Sequence, residues 1–280
     1  MKTQVSILGF PSDEGVRRNN GRVGAAAGPA SIRQWYSKLH SHLDPERIAV
    51  SDLGDIPVRD GDLETAQATF QAMIRSVHGY HNAVSIGLGG GHEIAFAHVP
   101  GLLSAYPNDR IGMLNFDAHL DLRAYSESGS TSGTPFLQIL DAATAAKRNV
   151  PYLVIGVQPQ STPAVLFETA RRTKTGIVLA EEMYQSPKWH ATLEHFMDSC
   201  DWIYVSLDLD VFSAASAPGV SAPSPLGLDV AMALQTLLHV MRSGKVKAFD
   251  IAELNPTYDD ANQSTARLAA AFLHRFIHHL

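Results

Sequence analysis

The stretch IGMLNFDAHLD, residues 111–121, decides how this chain folds. Its first half, residues 111–116, is a short, largely apolar run that does not alternate with polar residues. Such a run is typical of a strand buried on both faces, as in a parallel sheet covered by helices. In the second half, Asp117, His119 and Asp121 stand two residues apart, and side chains at that spacing point the same way in an extended chain. The stretch therefore predicts a buried strand that ends in a row of polar groups.

Runs of this kind recur along the chain and alternate with longer segments of helical period. The apolar runs lie at residues 5–10, 48–53, 83–88, 111–116, 152–157, 176–179, 202–207 and 246–251. The helical segments lie at residues 29–43, 63–78, 92–106, 135–147, 162–174, 187–198, 229–242 and 262–278. This order predicts an α/β fold with three layers, α/β/α, around a central, mostly parallel eight-stranded sheet. No Pro-, Ser- or Gly-rich linker divides the chain, so we expect residues 1–280 to form a single domain.

The composition limits which partners and locations are expected. The chain has 280 residues, of which 45% are hydrophobic and 18% charged, and its formal net charge is -6. This balance argues against wide contact with nucleic acid or with an anionic membrane surface, and it favours a small-molecule partner. No apolar stretch approaches the roughly 18 residues of a membrane span. The single cysteine, Cys200, and a start without a signal-like pattern favour a cytoplasmic location.

Three more predicted strands end in polar residues. The segments that follow them are Gly89-Gly90-Gly91-His92-Glu93, Asp208-Leu209-Asp210 and, one residue further from its strand, Glu253. Glycines permit a close approach of the backbone to a site, so the first segment can deliver His92 to the mouth of the sheet. Because ligands of such sheets bind beyond the carboxyl ends of the strands, we expect these side chains to converge at one edge.

Four aspartates at one edge cannot all stay ionised without cations. Two carboxylates about 4 Å apart repel by roughly 4 kcal/mol at an effective dielectric near 20. Two divalent ions would balance the four charges, and oxygen and imidazole ligands without thiolate suit Mn²⁺ better than a structural zinc. A lone Asp-x-Asp is most often a turn or helix cap, but the joint occurrence of three motifs favours a metal site. The predicted ligands are His92, Asp117, His119, Asp121, Asp208 and Asp210.

These motifs resemble those of the ureohydrolase family of arginases, agmatinases and formimidoylglutamases, and the likeness covers nearly the whole chain. The matching segments are residues 89–93, 115–121, 206–212 and 250–256. The resemblance implies two Mn²⁺ per subunit. It assigns His92, Asp117, Asp121 and Asp208 to one ion, and Asp117, His119, Asp208 and Asp210 to the other. It also implies that Glu253 binds the amidinium group of the substrate and that Asp121 passes a proton to the leaving nitrogen.

Within the family, the loop after residues 117–121 favours the formimidoylglutamases. Arginases and agmatinases have a histidine just before the glycine of this loop, whereas this chain has Ser132 before Gly133. Formimidoylglutamases resemble it in having serine there, and residues 13–29 and 254–259 also resemble their signatures. The resemblance therefore implies hydrolysis of N-formimidoyl-L-glutamate to L-glutamate and formamide, a step of histidine degradation.

A dicarboxylate substrate requires cationic groups in the cleft. Arg123 directly follows the metal motif and is the best candidate, and Arg17 and Arg18 come next. Further substrate contacts are expected, by their place in relatives, from Ser128, Ser132 and Gln158. Because relatives form trimers or hexamers, the resemblance also implies a possible homo-oligomer.

Three other functions remain open at this point. The first is an agmatinase-like or other guanidino-compound amidinohydrolase. The second is a single-zinc deacetylase of the same fold, although such enzymes usually add a tandem histidine pair near the metal, which no motif here provides. The third is a metal-free binding or scaffold protein, against which the six intact ligand positions argue.

Overall fold

The strands of this protein form one sheet in which each neighbouring pair is parallel. The computed structural model describes residues 2–59, 61–125 and 129–280. Across the sheet the strand order is β2-β1-β3-β8-β7-β4-β5-β6. The strands are β1 (Thr3–Phe10), β2 (Ile48–Asp55), β3 (Ala83–Gly89), β4 (Ile111–Phe116), β5 (Tyr152–Val157), β6 (Gly176–Leu179), β7 (Trp202–Asp208) and β8 (Val246–Ala252). The predicted fold class is confirmed.

Helices cover both faces of the sheet. They are α1 (Glu14–Arg18), α2 (Gly28–Tyr36), α3 (Leu63–Val77), α4 (Ala95–Ala105), α5 (Pro135–Ala145), α6 (Ala164–Thr173), α7 (Ala180–Gln185), α8 (Trp189–Asp198), α9 (Val230–Met241) and α10 (Ser264–Ile277). Alternate strand residues enter different cores: Leu114 and Phe116 pack on the side of α2 and α7 to α10, and Met113 on the side of α4 to α6. Both faces of the central strands are therefore apolar, which explains why their sequences do not alternate.

The structure departs from the sequence-based expectation in four elements. The first helical segment was expected at 29–43, but α2 ends at Tyr36. The short helices α1 and α7 were not predicted, because five or six residues carry too little helical period to be recognised. Strand β2 is exposed over most of its length, because it lies at the sheet edge and pairs only with β1. The expectation that every strand is buried on both faces is therefore wrong for β2.

The carboxyl ends of β3, β8, β7 and β4 lie side by side in the middle of the sheet. The pairings run level to the end, with Leu88 beside Ile251, Asp208 beside Ala252 and Phe116 beside Leu207. Segments that are distant in sequence thus emerge at the same edge.

Within the described ranges, no helix combines the length and apolar character needed to cross a membrane. The single-domain organisation stays a prediction.

Gly87 of β3 should tolerate no side chain. A Cβ atom built there would lie 2.1 Å from Oδ1 of Asp250 and 2.8 Å from Cδ1 of Ile94. We expect Gly87→Ala to lower the free energy of unfolding by about 1–3 kcal/mol, as overpacking of a rigid core does. Urea unfolding followed by circular dichroism measures this change. Gly79→Ala is the control, because its Cβ would meet only the Ser76 carbonyl oxygen, at 3.1 Å; equal loss in both variants would contradict the packing argument.

Candidate metal centre

One imidazole and three carboxylates from three different strand ends face one another at the middle of the sheet edge. Nδ1 of His92 lies 3.0 Å from Oδ2 of Asp121, 3.0 Å from Oδ2 of Asp208 and 3.4 Å from Oδ2 of Asp117. One donor atom from each of the four residues lies within 4.8 Å of the others. The structure therefore brings together the four side chains that were predicted to share the first ion.

A second group of the same kind adjoins the first. Nδ1 of His119 lies 3.1 Å from Oδ2 of Asp210 and 3.5 Å from Oδ1 of Asp117. One donor atom each from Asp117, His119 and Asp210 lies within 4.8 Å of the others, so Asp117 takes part in both groups. Asp208 meets this distance only in the first group, and its bridging role stays a prediction.

The two Asp-x-(His/Asp) motifs reach this position by the same local turn. Oδ1 of Asp117 accepts a hydrogen bond from the backbone N–H of His119 at 2.6 Å, and Oδ1 of Asp208 accepts one from that of Asp210 at 2.9 Å. Each first aspartate thus uses one oxygen to turn the chain and directs the other at His92. The expected extended row is replaced by a turn, but the paired residues still lie on the same side.

Two site residues adopt a backbone conformation that side chains other than glycine rarely take. The φ angles are +48° at Asp121 and +67° at Glu253. Such conformations cost of order 1 kcal/mol or more and persist where the surroundings hold them. Glu253 is held by its backbone N–H, which donates to the Gly90 carbonyl at 2.8 Å, and by its Oε1, which accepts from the His92 N–H at 2.9 Å. The strain therefore falls at the cluster itself.

Two of the cluster aspartates, Asp208 and Asp121, lie in surroundings that oppose their ionisation. Burial raises the pKa of Asp208 well above its usual value, and the charges of Asp210 and Asp117 add to the rise. Burial, followed by the charge of Asp117, raises the pKa of Asp121 to about 6. The cluster thus holds more negative charge than the protein around it can stabilise.

The surroundings of the two histidines favour their charged forms. The Asp210 carboxylate raises the pKa of His119 to about 12. Burial lowers the pKa of His92, but the nearby carboxylates of Asp117, Asp121 and Asp208 outweigh this effect and raise it well above its usual value. Without cations, the imidazoles therefore carry positive charge at neutral pH.

The donor atoms fit divalent cations. Nδ1 of His92 and Oδ1 of Asp210 are buried and have no hydrogen-bond partner among the described residues, which is costly unless another group satisfies them. The donor set is carboxylate oxygen and imidazole nitrogen without thiolate, which suits Mn²⁺.

The chain was compared with known proteins. The family model described as "Arginase family" matches residues 3–278. The chain belongs to the arginase family. Among curated relatives, formimidoylglutamase of Chromobacterium violaceum is 42% identical over 270 residues, covering 95% of this chain and 85% of the relative, and that of Clostridium tetani is 41% identical over 280 residues, covering 97% and 81%. A crystal structure of Trypanosoma cruzi formiminoglutamase with Mn²⁺ superposes with a TM-score of 0.87 at 27% identity, covering 99% of this chain and 93% of that one.

The cluster of predicted metal ligands opens into a cleft of about 320 Å³. Arg123, Ser132 and Glu253, all named from the sequence, line this cleft. Arg22 and Asn19 line it as well, although the sequence reasoning did not single them out. Asn19 donates to Oγ of Ser132 at 3.2 Å, which joins the segment after α1 to the loop that carries Ser132. The resemblance of residues 13–29 to the family signature was the signal that could have indicated both.

Arg17 and Arg18, both predicted to bind substrate, do not line the cleft. Both guanidinium groups pair with Glu14, and that of Arg18 also pairs with Glu64. The side chain of Arg17 is 65% exposed. These pairings do not favour a role in substrate binding, because the carboxylates of the protein already occupy both cations.

Gln158, a further predicted contact, does not line the cleft. The side chain of Gln158 is buried; its amide donates to the Leu226 carbonyl at 2.7 Å and accepts from Gln160. These hydrogen bonds direct the side chain of Gln158 into the interior of the protein. Ser128 lies outside the described residues.

Binding of Mn²⁺ should release protons. His92 and His119 are protonated at pH 7 without cations, because both pKa values are raised, and metal ligation requires neutral imidazole. We therefore expect release of about two protons per chain and an apparent affinity that rises with pH. Calorimetric titration at pH 7 in buffers of different ionisation enthalpy measures the release. His119→Asn should reduce it by about one proton; binding without proton release would contradict the assignment.

Proposed function

We propose that this chain hydrolyses N-formimidoyl-L-glutamate to L-glutamate and formamide with two Mn²⁺. The observation that carries the proposal is the convergence of six ligand side chains beside a cleft that also holds Ser132 and Arg123. The curated relatives named formimidoylglutamase support the substrate. The ligands proposed for the ions are His92, Asp117, His119, Asp121, Asp208 and Asp210.

When bound, the two cations supply Lewis-acid chemistry that makes water a nucleophile near neutral pH. The side chains of the cleft bind and orient the amidine. Oε1 of Glu253 is engaged by the His92 N–H, which leaves Oε2 for the two N–H groups of the amidinium. A charge-assisted hydrogen bond of this kind holds the carbon to be attacked at a fixed position.

Asp121 is proposed to carry the proton. It lines the cleft, and its side chain is 13% exposed, whereas Asp117 is fully buried. Its carboxylate can therefore accept a proton from the attacking water and donate it to the leaving nitrogen of glutamate. The positive φ of Asp121 turns the chain sharply after the strand and directs this side chain into the cluster.

Ser132 favours a formamidine over a guanidine. It is buried, and its hydroxyl accepts from Asn19. A serine hydroxyl does not ionise near neutral pH, so it cannot shuttle protons as a histidine does. A guanidine has one more nitrogen that donates electrons into the central carbon and is therefore harder to attack. Its strongly basic leaving amine also depends more on a proton shuttle, which a histidine supplies and a serine does not.

Arg123 is proposed to bind a carboxylate of the substrate. Its stem lies against Gly133, where a Cβ would come within 2.6 Å of its Cδ, and its backbone N–H donates to the Gly133 carbonyl at 2.9 Å. No carboxylate of the described residues forms an ion pair with Arg123. Arg22 is the other cation of the cleft, but its guanidinium donates to the carbonyl oxygens of Val220 and Ser221.

A substrate panel tests the proposed function. Manganese-loaded enzyme is incubated with N-formimidoyl-L-glutamate, agmatine and L-arginine, and formamide and urea are quantified. We expect kcat/KM for N-formimidoyl-L-glutamate to exceed that for the guanidines by at least about 100-fold, the difference that about 3 kcal/mol of transition-state energy makes. Urea release at a comparable rate would favour a guanidino-compound hydrolase, and metal analysis showing one zinc per chain would favour a deacetylase.

Arg123→Gln tests substrate binding. Loss of a charge-assisted hydrogen bond to a carboxylate costs about 1.5–3 kcal/mol, so we expect KM for N-formimidoyl-L-glutamate to rise roughly 10- to 150-fold with a smaller effect on kcat. Arg17→Gln is the matched control, because Arg17 is exposed and lies outside the cleft. Steady-state kinetics of both variants give the comparison. The assignment fails if the two variants behave alike.

A further inference from the structure

The guanidinium group of Arg18 connects three segments that are distant in sequence. Its Nε donates to Oε1 of Glu14 on α1 at 2.9 Å, and its Nη1 and Nη2 donate to the two carboxylate oxygens of Glu64 on α3 at 2.5 and 3.1 Å. Nη1 also donates to the backbone carbonyl of Ser130 at 3.3 Å. The Arg18 side chain is only 20% exposed. The neighbouring guanidinium of Arg17, by contrast, donates only to Glu14 among the described residues.

The loop that precedes α5 packs directly on this ion pair at Gly129. A Cβ atom built at Gly129 would overlap Oε1 of Glu64 and lie 2.7 Å from Nη1 of Arg18, and the φ angle of +94° also favours glycine. Helix α3 contacts the loop at a second point, because the buried amide of Gln67 donates to Oγ of Ser130 at 3.3 Å. The start of the loop is therefore held by side chains of α1 and α3.

The far end of this loop, residues 129–133, belongs to the wall of the cleft. Ser132 lines the cleft, and its hydroxyl accepts from Asn19 at 3.2 Å. Gly133 supports Arg123, because its carbonyl accepts from the Arg123 backbone N–H at 2.9 Å. A Cβ atom at Gly133 would come within 2.6 Å of Cδ and 2.9 Å of Nε of the same arginine. A shift of the loop would therefore displace the support of Arg123 and the hydroxyl of Ser132 together.

We propose that Arg18 and Glu64 are positioning residues for the substrate cleft, which hold the loop where Gly133 supports Arg123. This inference rests on the proposed function, because Arg123 is the proposed ligand of a substrate carboxylate. Arg18 does not line the cleft, and the carboxylates of Glu14 and Glu64 compensate its charge, so it acts on the substrate only through the loop. Because the ion pair is partly exposed, we expect its loss to change KM by about three- to tenfold, less than loss of Arg123 itself.

Arg18→Gln tests whether the loop is held, and Arg17→Gln is its matched control. Both arginines pair with Glu14, but only Arg18 contacts Glu64 and Ser130. Hydrogen exchange followed by mass spectrometry reports on the loop through the backbone amides that donate within it, which are those of Thr131, Gly133 and Thr134. We expect these amides to exchange about three- to tenfold faster in Arg18→Gln and in Glu64→Gln, and as in the wild type in Arg17→Gln.

Steady-state kinetics of the manganese-loaded enzyme test the effect of the loop on the cleft. With N-formimidoyl-L-glutamate, Arg18→Gln should raise KM about three- to tenfold with a smaller effect on kcat. In the Arg123→Gln background the same change should raise KM no further, because two residues that act through one contact are not additive. A merely structural role of Arg18 would instead change KM by the same factor in both backgrounds.

Three results would each overturn the proposal: equal exchange of the loop in Arg18→Gln and Arg17→Gln, an unchanged KM in Arg18→Gln, or additive effects of Arg18→Gln and Arg123→Gln. If Arg18→Gln does not fold, Glu64→Gln supplies the same measurements, since it removes the other charge of the pair. A wild-type chain that releases no formamide would contradict the proposed function alone, because hydrogen exchange would still decide whether Arg18 and Glu64 hold the loop.

Discussion

The repulsion between four aspartate carboxylates at one edge of the sheet is the constraint on which the rest of the structure depends. Asp117, Asp121, Asp208 and Asp210 come from two neighbouring strands, and the parallel topology forces them together. Burial raises the energy of each charge, and no lysine or arginine of the described residues pairs with any of them. Bound cations, or protons taken up by the histidines and carboxylates of the cluster, must compensate. The fold can therefore hold this cluster of carboxylates because the cluster binds metal.

The sequence predicted the sheet well where both faces are buried, because continuous apolar runs leave little choice of structure. Strands β4 and β5 begin and end where expected. The sequence predicted edge strand β2 and the end of helix α2 less accurately. Strand β2 has the same apolar start as the others, but its edge position depends on which strand pairs with β1, a long-range choice that a local pattern does not contain. The end of α2 at Tyr36 was likewise not predicted by helical period, and α2 packs against α10, which is distant in sequence.

In the same way, the sequence predicted the metal centre more completely than it predicted the substrate cleft. The six predicted ligands meet because two-residue spacing and strand ends determine where they lie. Side chains on loops follow no such rule. Arg18 was considered a substrate ligand, yet it pairs with Glu64, a residue 46 positions away that no motif connects to it. Arg22 and Asn19 reach the cleft only because the segment after α1 folds over the sheet edge. Contacts of this kind require the tertiary structure.

Buried carboxylates in this chain fall into two kinds, and the number of hydrogen-bond donors around them tells which kind binds metal. Each oxygen of Asp250 has a donor, from His98 or Tyr204, so the charge is stabilised by the protein itself. Among the described residues, Oδ1 of Asp210 has no donor, and Oδ2 of Asp208 lies 3.0 Å from Nδ1 of His92, which itself has no hydrogen-bond partner. A carboxylate that is buried without enough donors is costly to the folded state unless a cation completes it. The donor count therefore separates a structural aspartate from a ligand where sequence position does not, since Asp250 and Asp208 both lie on central strands.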